Sequence, residues 1–146
     1  GGYISDAMHK IEIYQRIAAI RTDEHADQLE EELIDRFGAL TEPVKKIMQV
    51  ARLKNYARKL KIKSIIEKPA FVEIYFDKAP NIETENMLLA KKQFDNLLKF
   101  VPKQNTIQIK ITPINKKHII NLCLKVVKVL TGEKLQKMTL KKEEKK

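Results

Sequence analysis

Glu31-Glu32-Leu33-Ile34-Asp35-Arg36-Phe37-Gly38-Ala39-Leu40-Thr41-Glu42-Pro43-Val44 closes one helix, turns the chain and opens the next. Ala26, Leu29, Leu33 and Phe37 recur at helical spacing into this stretch. Gly38 then supplies a left-handed C′ position without a Cβ penalty. Thr41-Glu42-Pro43 restarts a helix, with Pro43 in the first turn, where its missing N–H costs nothing. The stretch also divides the charge. Residues 23–42 carry eight acidic side chains and one basic; residues 43–63 carry eight basic and no acidic.

Upstream, Thr22 is an N-cap, and Asp23 and Glu24 complement the positive end of the helix dipole. A first helix is predicted from about Ala7 to Ile20, capped by Ser5 or Asp6. Its broad apolar stripe of Ile11, Tyr14 and Ala18, with Ile13, Ile17 and Ile20 alongside, predicts a well-buried helix. Downstream, a third helix runs to about Leu60. Ile47, Val50, Ala51, Leu53, Ala57 and Leu60 are predicted to face inward, and Lys45, Lys46, Arg52, Lys54, Arg58 and Lys59 mostly outward.

The apolar period then changes from 3.6 to 2. Ile62 to Glu67 and Ala70 to Phe76 read as strands of an antiparallel hairpin broken at Lys68-Pro69, with Val72, Ile74 and Phe76 on one face. A helix is predicted from Glu83 to Phe100, where Pro102 stops it. A strand follows from Thr106 to Thr112 with Ile107, Ile109 and Ile111 inward, then a last helix from Lys116 to Leu130, closed by Thr131-Gly132. The fold class is α+β: a helical front half followed by a small, mainly antiparallel sheet covered by helices. Residues 1–132 are expected to form a single domain, with the Lys78-to-Glu83 turn as its internal division. Residues 133–146 are expected to be a charged, disordered tail.

Composition narrows the function. A hydrophobic content of 43% supports a core. No uncharged apolar run approaches the roughly 18 residues of a membrane span, and no signal segment opens the chain. One cysteine, Cys123, excludes an internal disulfide framework. The plain expectation is a reduced, cytoplasmic protein without membrane contact. The net charge of +10 raises nucleic acid, but 24 of the 29 basic residues are Lys, whereas base and phosphate readout leans on the planar fork of Arg.

Chemistry finds little support. The four glycines stand at 1, 2, 38 and 132, so no Gly-rich loop can cradle phosphates. No ATP site or other cofactor is expected. His9, His25 and His118 are far apart and lack a second ligand at metal spacing. Cys123 sits on an apolar helix face and reads as core. The carboxylates Glu30, Glu31, Glu32 and Asp35 adjoin one helix face. A general acid would need one of them in an apolar pocket, which adjacent acids on a solvated face do not supply. Two readings of that face stay open: a solvated acidic surface, or a docking surface for a basic patch on a partner. A reading from a different class is a nucleic-acid-binding module that uses the basic third helix and the Lys-rich C-terminus.

Several blocks carry a resemblance. Tyr3-Ile4-Ser5-Asp6, Tyr14-Gln15-Arg16-Ile17-Ala18, Glu32-Leu33-Ile34-Asp35-Arg36-Phe37-Gly38, Leu40…Pro43-Val44 and Ala51-Arg52-Leu53-Lys54…Leu60-Lys61-Ile62 resemble, in order, the C-terminal domain of bacterial transcription-repair coupling factor (Mfd). Departures are Ser5 and Thr41, where the family often has Pro, and Lys61, where it often has Gly. The resemblance implies a non-catalytic domain following an ATP-driven motor that lies elsewhere in the parent protein. It implies that the domain docks on and masks the N-terminal UvrA-binding module of the same protein, restraining the motor until stalled RNA polymerase is engaged. The full-length protein would then work with RNA polymerase, UvrA and double-stranded DNA. By motif match, Glu32 and Asp35 are the candidate partner-binding residues; Glu31 is added on physical grounds.

Overall fold

A computed structural model of the chain describes residues 2–133, with side chains from His9 onward. The tail expected from Glu133 lies outside the described residues, apart from Glu133 itself. The described residues form five α-helices and a four-stranded sheet, an α+β architecture. They divide into two compact units, and the boundary falls between Asn55 and Tyr56. The division therefore lies inside the third helix rather than at the Lys78-to-Glu83 turn.

The first unit is helical. It contains α1 (Gly2–Ala18), α2 (Asp23–Phe37) and the first part of α3 (Glu42–Leu60). Ser5 and Asp6 lie inside α1 rather than at its cap, because the helix already starts at Gly2. Both ends of α2 follow its local sequence. Thr22 Oγ1 accepts from the His25 N–H at 3.0 Å, and Gly38, at φ 83°, donates its N–H to Ile34 O. Ile17, Ile20, Ala26, Leu29, Leu33, Met48 and Ala51 form the core, with Ile13, Leu40, Val44 and Ile47 packed against it. The inward face of α1 is thus Ile13 and Ile17, continued by Ile20 just beyond the helix end. Ile11 and Tyr14 are exposed, which corrects the broad stripe predicted there.

The second unit contains the end of α3, β1 (Ile62–Glu67), β2 (Phe71–Phe76), α4 (Thr84–Phe94), β3 (Leu98–Val101), β4 (Thr106–Lys110) and α5 (Ile119–Leu130). The strand order is β1-β2-β4-β3, antiparallel throughout. Val72, Ile74 and Phe76 alternate with partly exposed Phe71, Glu73 and Tyr75. That is the pattern of a sheet with one covered face. Ile74 pairs with Ile107, and Val72 with Ile109, so one buried apolar layer continues across the two central strands. α4 packs against α5 and β3.

β3 was not expected. The helix predicted to reach Phe100 ends at Phe94; a 3₁₀ turn over Asp95–Leu97 leads into Leu98–Val101, which pairs with β4. Asp95 takes a positive φ of 48°. Lys91 Nζ donates to the carbonyls of Asp95 and Leu98 at 2.9 and 2.6 Å, tying the end of α4 to the start of β3. The next strand stops at Lys110, and a 3₁₀ turn over Lys116–His118 precedes α5. A Schellman closure ends α5: Gly132 at φ 85° donates to Val129 O at 2.9 Å, and Glu133 donates to Lys128 O at 3.0 Å.

Candidate functional site

The carboxylates of α2 sort themselves around its axis into three stripes, because residues three and four apart share a face. Asp23, Asp27 and Glu30 form the first. Arg52, on α3, gathers all three: Nη1 lies 3.4 Å from Asp23 Oδ1, and Nη2 lies 2.8 Å from both Asp27 Oδ1 and Glu30 Oε2. The Arg52 side chain is only 14% exposed. Burial alone would lower its pKa, but the hydrogen bonds to Asp27 and Glu30, with the charges of Asp27 and Asp23, outweigh that and raise it. Arg52 therefore faces α2, which corrects its predicted outward orientation.

Glu32 lies on the opposite flank, toward α1. Arg16 grips its carboxylate through both guanidinium nitrogens; Nη1 meets Oε2 and Nη2 donates to Oε1 at 3.1 Å. Arg36, one turn along α2, brings Nη1 to 3.9 Å from Oε2. The hydrogen bond from Arg16 holds the Glu32 carboxyl below the usual carboxylate range, ahead of the opposing effect of desolvation. The same bond raises the Arg16 pKa. A general acid needs the opposite shift. This environment fixes Glu32 as an anion suited to charge pairing.

Between these flanks runs the outer crown of α2, with Glu31 and Asp35 one turn apart and both exposed. Gln28, Glu31, Glu32, Ile34 and Asp35 line a shallow, open depression. All three predicted residues are thus brought to one surface, two at its crown and Glu32 at its α1 edge. Beside them Ile34 is 46% exposed and Phe37 48% exposed. Phe37 does not continue the buried stripe, which stops at Leu33. Its ring lies 5.9 Å from that of His9, and Arg36 sits over it at 5.0 Å. The surface therefore combines acids with apolar area. Sequence reading missed Ile34, although its departure from the Ala26, Leu29, Leu33 stripe was a usable signal. Arg16 gave none, being 16 residues from Glu32.

Elsewhere, Cys123 is buried in α5, and burial pushes its thiol up to about 12, with a lesser contribution from Glu67. That is core behaviour. No group of three or more His, Cys, Asp or Glu among the described residues could hold a metal ion. None of the described helices is long and apolar enough to cross a membrane.

Comparison with known proteins shows the family. The profile of the TRCF domain matches residues 1–87. The transcription-repair-coupling factor of Borreliella burgdorferi is 30% identical over 129 residues, 88% of this chain and 12% of that protein. Those of Escherichia coli and Bacillus subtilis are 36% and 31% identical over 63 and 87 residues, or 43% and 60% of this chain. They are covered over only 6% and 7% of their own lengths, so the chain spans a small part of each relative. Among solved structures, a crystal structure of the C-terminal domain of transcription-repair coupling factor matches with a TM-score of 0.72 and 27% identity, over 93% of this chain and 87% of that one. The chain belongs to the TRCF domain family, and its α+β fold is similar to that of the C-terminal domain of transcription-repair coupling factor.

Proposed function

We propose that this chain is the non-catalytic, cytoplasmic regulatory domain of a transcription-repair coupling factor, and that residues 1–132 act together as that domain. It docks on and masks the UvrA-binding module of its own parent protein and restrains the DNA translocase motor until stalled RNA polymerase is engaged. It uses no cofactor of its own; ATP serves the motor elsewhere in the parent. The observation that carries this reading is the crown of α2. Glu31 and Asp35 stand exposed beside Ile34, with Glu32 at the edge, half-exposed and shared with Arg16, while Asp23, Asp27 and Glu30 are committed to Arg52. Basic side chains of the masked module meet that crown, and such pairs set encounter rate and specificity and weaken with salt. UvrA competes for the same module, so the closed state and UvrA binding exclude each other.

In the full-length protein, reversing Glu31 and Asp35 to Lys is expected to raise both UvrA binding and basal DNA translocation. If both stay at wild-type levels while the fold is intact, the site is wrong. The alternative, nucleic-acid binding by the basic third helix and Lys-rich C-terminus, is weakened at Arg52, whose charge is spent on three carboxylates. Lys45 also pairs with Glu42 at 3.4 Å.

A further inference from the structure

The second unit presents a sheet face with a different chemistry. Residues paired directly across antiparallel strands share a face. Phe71, Glu73 and Tyr75 of β2 therefore share theirs with Lys110 and Gln108 of β4, and Gln108 is in turn paired with Lys99 of β3. On β1 the same face carries Ile66, paired with Glu73. Ile66 is 47% exposed, and Phe71 and Tyr75 are partly exposed. This face is therefore open around Phe71, while beside Tyr75 its cross-strand partner Thr106 is buried.

Lysines surround those rings. Lys68 Nζ lies 5.6 Å from the centroid of Phe71 and Lys63 Nζ 5.9 Å from that of Tyr75. Lys99 and Lys110 are exposed. The acids on this face are neutralised from within: Lys68 reaches Glu73 at 3.2 Å and Lys63 reaches Asp77 at 3.4 Å. Residues 56–133 carry 15 Lys and Arg against seven Asp and Glu, a net of +8. The two rings stand four residues apart on one strand, about 13 Å at the usual strand rise.

We propose that this face binds single-stranded nucleic acid. Lys99 and Lys110 take the phosphates, and Phe71 and Tyr75 take bases by stacking. The combination selects a single strand, because stacking on a flat sheet needs unpaired bases, which a duplex keeps inside its helix. The residues belong to the second unit and those of the acidic crown to the first, so the proposal stands or falls independently of the docking function.

The test is fluorescence anisotropy of the whole chain with a labelled oligothymidine and a duplex of equal length, at low and at moderate salt. Wild type is expected to favour the single strand and to weaken steeply with salt. Phe71→Leu with Tyr75→Leu keeps apolar volume on the strand and is expected to weaken binding at least about fivefold by loss of stacking. Lys99→Glu with Lys110→Glu is expected to weaken it about tenfold or more through lost phosphate contacts. Lys45→Glu with Lys46→Glu on α3 should leave it unchanged. Circular dichroism checks the fold of each variant. If the sheet-face substitutions leave binding as in wild type, or if the duplex binds as tightly as the single strand, the proposal is overturned. It is equally overturned if the chain binds no oligonucleotide, or if the loss follows the α3 lysines.

Discussion

Arg16 on α1 holds Glu32 on α2 by a two-pronged guanidinium–carboxylate pair, with Nη2 to Oε1 at 3.1 Å. A carboxylate that a docking partner would use is thereby already occupied by the chain's own arginine. Both side chains are about 40% exposed, so a partner's arginine can reach Glu32 but must compete with Arg16. Removing the competitor with Arg16→Ala is expected to tighten binding to the UvrA-binding module, whereas Glu32→Ala weakens it. Isothermal titration calorimetry at low salt measures both. Equal weakening by the two substitutions would show that Arg16 positions Glu32 instead.

The pair also makes stability depend on pH. The hydrogen bond from Arg16 holds the folded Glu32 pKa below the ordinary carboxylate value. Its contribution is therefore fully present above about pH 4.5 and lost as pH falls through the lower folded value. Denaturant unfolding of wild type and Glu32→Gln between pH 7 and about 3 is expected to show wild type ahead at neutral pH and the gap closing on acidification. A gap that widens with acid would contradict the assignment.

Arg52 has a structural task. Arg52→Ala leaves Asp23, Asp27 and Glu30 facing one another without their common cation. A cost of about 1.5–3 kcal/mol is expected, the range for hydrogen bonds to charged groups. Arg52→Lys should recover only part of it, since an ammonium lacks the fork that serves several carboxylates. Urea unfolding of the three proteins measures this.

Two backbone positions predict effects of opposite sign. Lys61 adopts φ 58° between α3 and β1. A side chain there costs about 1 kcal/mol, so Lys61→Gly is expected to stabilise the chain by somewhat less than that, given the freer unfolded state. Gly132, at φ 85°, would place a Cβ 3.2 Å from Asn86 Nδ2. Gly132→Ala is expected to lower stability by about 1–2 kcal/mol. Thermal unfolding distinguishes the two directions.

What could be read from the sequence was what local chemistry decides. Thr22 and Gly38 fixed the ends of α2, and the alternation of Val72, Ile74 and Phe76 fixed the covered face of β2. β3 was hidden because Leu97, Leu98 and Phe100 continue an apolar pattern that also suits a helix. Only pairing with β4 turns Leu98–Val101 into a strand. The site divided likewise. Glu30, Glu31, Glu32 and Asp35 were visible as neighbours on a helix. Their different fates depend on Arg16 and Arg52, which reach α2 from other helices, across up to 29 residues of chain.

The central claim is that the exposed crown of α2 is a latch. Its most direct measurement is binding of this chain, in trans, to the N-terminal UvrA-binding module of a transcription-repair coupling factor, comparing wild type with Asp35→Arg and Glu31→Arg. The account predicts salt-sensitive binding that each substitution weakens about tenfold or more, as expected when a like charge faces the partner's basic patch. Wild-type affinity in both variants, with the fold intact, would contradict it.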